Sequence, residues 1–62
     1  MARFGFGDIA VIKEENVVVR IECEIIDEDG TTYYEVSPRD FNVPGRYKTR
    51  IIREDKLEEY HG

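Results

Sequence analysis

The sequence predicts an all-β fold: five short strands closed into one small barrel, with a single 3₁₀ turn before the last strand. Three observations lead there. Apolar residues alternate with polar ones over Val17 to Ile25, the period of a strand with one buried face. Segments rich in β-branched and aromatic residues recur between clusters of Gly, Pro, Asn and Asp. No segment of helical period runs longer than one turn. At 62 residues the chain is one domain, spanning 1–62. A chain of that length hides only about 60% of its unfolded surface, so nearly every strong apolar residue must enter the core.

The first strand is Ile9-Ala10-Val11-Ile12, opened by Gly5-Phe6-Gly7-Asp8 and joined to the second by a tight turn at Lys13-Glu14-Glu15-Asn16. In the second, Val17, Val19, Ile21, Cys23 and Ile25 are expected to point inward, with Val18, Arg20, Glu22 and Glu24 on the other register. Asp27-Glu28-Asp29-Gly30 makes the hairpin turn, Gly30 supplying positive φ. The third strand, Thr31 to Val36, sets Thr32, Tyr34 and Val36 on one face and Tyr33 and Glu35 on the other. Ser37 to Gly45 holds Pro38 and Pro44 and reads as a loop, with Phe41 and Val43 as its anchors. Arg46 to Arg53 resumes strand character. Glu54-Asp55-Lys56-Leu57 suits one 3₁₀ turn with Leu57 folded inward, and Glu58-Glu59-Tyr60 adds a last short strand.

Closing such strands into a barrel removes edges that would otherwise pair with other chains. Phe6-Gly7-Asp8-Ile9-Ala10-Val11, Cys23-Glu24-Ile25-Ile26 running into Asp27-Glu28-Asp29-Gly30, Tyr34-Glu35-Val36 and Arg53-Glu54-Asp55-Lys56-Leu57 together resemble the pattern of small SH3-like barrels, including KOW-like and Tudor-like ones. The resemblance spans nearly the whole chain, departs from the pattern where Cys23 replaces a usual glycine, and implies the fold without a ligand. Phe4-Gly5-Phe6-Gly7-Asp8 is also similar to the opening of the plasmid-borne type II dihydrofolate reductases. Aligning their turn on Lys56-Leu57-Glu58 sets Arg50-Ile51-Ile52 where that family carries Gln, Ile and Tyr, so the groups that would hold pterin and nicotinamide are missing.

The formal net charge is −5, which opposes general nucleic-acid binding. The charge is uneven. Nine acidic residues face three basic ones up to Glu35, whereas six basic residues face five acidic ones from Val36 onward, with the cations concentrated between Arg39 and Arg53. Such a stripe either pairs with acidic neighbours in the same sheet or meets an acidic partner.

Other chemistry finds little footing. Asp27-Glu28-Asp29-Gly30 lacks the ligand spacing of a calcium loop, since Ile25 and Val36 stand where oxygen ligands belong. Cys23 lies on the apolar register beside carboxylates, which suits an inert core thiol. His61 has no catalytic companions in sequence, and Gly5-Phe6-Gly7 lacks the following helix of a phosphate loop. No apolar run spans a bilayer and no signal peptide opens the chain, so a cytoplasmic protein without a membrane partner is expected. No cofactor is implied.

The aromatics remain. Rings on one face of a small barrel offer a peptide groove or cover the core. The reading that follows is a non-enzymatic interaction module that binds a protein partner or its own copy through the face of strands three and four, at Tyr33, Phe41, Arg46, Tyr47, Lys48 and Arg50. Its rivals are a nucleic-acid-associated KOW-like or Tudor-like accessory that uses the basic stripe, and a reductase-like enzyme.

Overall fold

The computed structural model describes residues 3–38 and 49–61. The chain is all-β: five antiparallel strands form one sheet, β1 (Ile9–Ile12), β2 (Val17–Ile26), β3 (Thr32–Pro38), β4 (Arg50–Arg53) and β5 (Leu57–Glu59), with a 3₁₀ turn at Glu54–Lys56. The spatial order is β4-β3-β2-β1-β5. Among the described residues no ladder joins the terminal strands β4 and β5.

Local chemistry accounts for the turns. Glu15 and Asn16 both donate their N–H to the Ile12 carbonyl, and Asn16 takes φ 56°, a left-handed conformation that Asn tolerates. Between β2 and β3, the Asp29 carboxylate accepts the Thr31 N–H (3.0 Å) and Gly30 sits at φ 88°, as its hairpin position requires.

The core is Phe4, Ala10, Ile12, Val19, Ile21, Tyr34, Val36 and Leu57, with Ile52 packed against it. Tyr34, Val36 and Leu57 thus point inward as their patterns predict.

The register of β2 differs from the expected one. Ile21 pairs with Val36 but Cys23 pairs with Glu35, so Glu22 is an extra residue, a β-bulge. One inserted residue reverses which side chains face the core. Val19 and Ile21 point inward, Cys23 is exposed, Ile25 is half-buried opposite Tyr33, and Glu24 comes opposite buried Tyr34. Val17 keeps the inward register but lies at the open end of the core and is exposed. Cys23 is therefore not the core thiol its alternation suggests.

Glu22 itself fixes the bulge. One of its carboxylate oxygens accepts Arg20 Nε–H (3.1 Å), Arg20 Nη2–H (2.9 Å) and the hydroxyl of buried Ser37. The Ser37 bond, then those from Arg20, holds the Glu22 carboxyl below its ordinary pKa.

A second tie lies outside any sequence pattern. The Tyr34 hydroxyl accepts the N–H of Arg3 (3.1 Å) and of Phe4 (3.3 Å) and makes a long contact to the Glu54 carboxylate (3.5 Å). The Phe4 ring meets the Tyr34 ring edge to face, centroids 5.4 Å apart, and the Arg3 guanidinium stands over the Phe4 ring, 4.8 Å from its centroid. The N-terminal segment is thereby pinned across β3 and the 3₁₀ turn.

Candidate functional site

The face of β2, β3 and β4 turned away from the core is set by two rows of paired residues. Ile25, Tyr33 and Arg53 make one row; Cys23, Glu35 and Ile51 make the next. Because Tyr34 and Val36 are buried, these intervening β3 positions and their partners must face outward. Ile51 is 60% exposed and Ile25 and Tyr33 are half-buried, which leaves an apolar surface bordered by one acid and one base.

The charged groups here are already oriented. Arg53 donates through Nε and Nη2 to the two oxygens of Asp55 (2.7 and 3.0 Å), and that fork lowers the Asp55 pKa. Cys23 Sγ donates to Glu35 Oε1 (3.4 Å). The Glu35 contact, followed by desolvation, pushes the thiol pKa up, so Cys23 is accessible yet poorly ionised.

Arg50 belongs elsewhere. It pairs with Val36, on the core-side register, and its guanidinium reaches past the mouth of the core to Glu15 in the β1–β2 turn through two bonds of 2.8 and 2.7 Å. Glu15 is acidified chiefly by that bond. A parallel pair joins Lys56 to Glu14. Between these pairs lies a cleft of about 240 Å³, lined by Ile12 and by β4. Its walls carry both members of each of these two ion pairs, together with Arg53, which is itself held by Asp55.

Of the six residues singled out from the sequence, Tyr33 lies on the outward face and Arg50 on the opposite one. Phe41, Arg46, Tyr47 and Lys48 lie outside the described residues, as do the expected anchor Val43 and the first part of the predicted fourth strand. The outward face also includes Cys23, Ile25, Glu35, Ile51 and Arg53, which sequence reading did not assemble. The signal was present in β3, where Glu35 shares the Tyr33 register, but its β2 neighbours could be placed only once the bulge was seen.

Among the described residues no three His, Cys, Asp or Glu side chains gather as a metal site, and no helix is long and apolar enough to cross a membrane. Comparison of the chain with protein-family models, curated proteins and solved structures finds no match.

Proposed function

We propose that this chain is a non-enzymatic interaction module, an SH3-like barrel that docks a protein surface, foreign or its own, on the outward face of β3 and β4. The observation that carries the reading is Ile51. A β-branched side chain 60% exposed on the terminal strand β4, on the same face as Cys23, Ile25 and Tyr33, is apolar area that a partner removes from water. Half-buried Tyr33 supplies a ring of the kind that anchors protein interfaces. The contact to phosphates that a nucleic-acid accessory needs finds less support. Arg50 and Arg53, the described cations of the basic stripe, lie on opposite faces of the sheet and so do not join into one basic surface, on a chain whose net charge is −5.

Photo-crosslinking tests the reading. A benzophenone side chain placed at position 33 or 51, in the cells that make the protein, is expected to yield protein adducts identified by mass spectrometry. The same group at Glu28, in the β2–β3 turn, is expected to yield none. Equal labelling at all three positions, or adducts to nucleic acid, would sink the proposal.

A further inference from the structure

Resting on the docking face just proposed, we infer that one occupant of that face is a second copy of the chain, bound about a two-fold axis. The geometry comes from the β3–β4 ladder. Tyr33 pairs with Arg53 and Glu35 pairs with Ile51, so these four side chains stand at the corners of a parallelogram on the outward face. Direct neighbours are about 5 Å apart and residues two along a strand about 7 Å. One diagonal joins Tyr33 to Ile51 and is apolar. The other joins Glu35 to Arg53 and carries one charge of each sign.

A two-fold axis laid along the Tyr33–Ile51 diagonal carries each charged corner to within about 3 Å of the other, an offset that two long side chains span. Each Glu35 then meets the second copy's Arg53, twice over, while Tyr33 and Ile51 meet their own counterparts near the axis. A two-fold interface demands self-complementarity, and here the axis that pairs the acid with the base runs close to the apolar diagonal, so the uncharged side chains meet each other. Ile25, beside Tyr33 in the same row, lengthens the apolar line.

The hydrogen-bonding groups remain available. Asp55 occupies Nε and Nη2 of Arg53, which leaves Nη1 to donate across the interface. Cys23 reaches one oxygen of Glu35, which leaves the other to accept. Six residues a side fall well short of the roughly 20 to 30 of a standard stable interface, so the dimer forms weakly and reversibly. The net charge of −5 per chain works in the same direction.

Sedimentation equilibrium of the intact chain tests this. Wild-type mass is expected to rise with concentration from one chain toward two. Glu35→Arg, at a half-buried position, and Arg53→Glu, at an exposed one, both on the outward face, bring like charges together in both contacts and should each weaken self-association by about tenfold or more. An equimolar mixture of the two variants restores both opposite-charge contacts, and should recover association to within about threefold of wild type. Circular dichroism verifies that each variant is folded, and if one is not, Glu35→Gln and Arg53→Gln replace the pair, each expected to weaken association by about half as many powers of ten. A wild-type chain that stays monomeric throughout, or a mixture no better than its components, overturns the dimer. The crosslinking experiment separates the two readings. Adducts at 33 and 51 to a different protein with a monomeric chain reject the dimer and keep the docking face; absence of adducts with a monomeric chain rejects both.

Discussion

Tyr34→Phe isolates one oxygen atom at the point where the N-terminal segment is fastened. The ring is fully buried and its edge-to-face contact with Phe4 survives the change, so the variant leaves no cavity larger than a hydroxyl. What disappears is the acceptor for two N–H groups. The Phe4 N–H is buried, and without the hydroxyl it has no partner. A buried donor left unmade costs about 1–3 kcal/mol. The Arg3 N–H is only partly buried and can turn to water, so its bond adds no more than about 0.5–1 kcal/mol. The 3.5 Å contact to Glu54 is too long to add much. The expected loss is about 2 kcal/mol, a large share of the roughly 3–9 kcal/mol that a chain of this size commands. In a domain this small it lowers the thermal midpoint by roughly 8–15 °C. Thermal and urea unfolding followed by circular dichroism measure it, with Tyr33→Phe on the outward face as the control, expected to change stability by less than about 0.5 kcal/mol. Amide exchange provides a second readout, because the Phe4 amide should lose protection in Tyr34→Phe while amides of β2 keep most of theirs. Equal stability of the two variants, with Phe4 exchange unchanged, would show that the hydroxyl does not hold the segment.

The bulge gives a sharper contrast than simple alternation does. Ile21→Asp buries an unpaired charge and should abolish the cooperative unfolding transition, whereas Ile25→Asp, on the outward face, should leave a folded chain destabilised by about 1 kcal/mol or less; similar behaviour of the two would refute the register. Acid should also unfold the protein through its carboxylates. The Glu22 pKa is lowered in the folded state by Ser37 and Arg20, so the folded chain binds fewer protons than the unfolded one, and this stabilisation, complete above about pH 4.5, is lost as pH falls below it. Glu22→Gln should reduce stability at neutral pH and flatten the acid limb of a pH series. An unchanged acid limb would mean that the bulge cluster is not linked to folding.

Much of the fold was legible because it is written locally. The boundaries of β1, the Gly30 turn, the inward Tyr34 and Val36, and the 3₁₀ turn before buried Leu57 all follow from period, turn chemistry and chain length. Two features were not, and both depend on residues far apart in the chain. Cys23 and Ile25 continue the alternation begun at Val19 without a break, and nothing in that segment marks Glu22 as extra. Its marker is Ser37, fifteen positions later, whose hydroxyl the carboxylate captures. The N-terminal clasp likewise spans thirty positions from Phe4 to Tyr34. For the site, Tyr33 was found from β3 alone, but grouping it with Arg50 ignored register. Arg50 pairs with Val36, and a residue opposite a core side chain cannot share a face with Tyr33.

The bulge joins these observations physically. Had β2 paired with β3 without interruption beyond Ile21, the residue opposite Glu35 would have been Glu22 and the one opposite Tyr33 would have been Glu24. The outward face would then have set two carboxylates against a third, an arrangement that like-charge repulsion across neighbouring strands disfavours. Cys23 and Ile25 would have been drawn to the core side, past the point where Tyr34 already fills it. Inserting Glu22 exchanges these two sets. Its own carboxylate is taken up by Arg20 and Ser37, Glu24 moves off the outward face, and Cys23 and Ile25 come to lie beside Glu35 and Tyr33. A single polar residue, neutralised where it stands, thus changes an acidic sheet face into the apolar one on which the proposed docking depends.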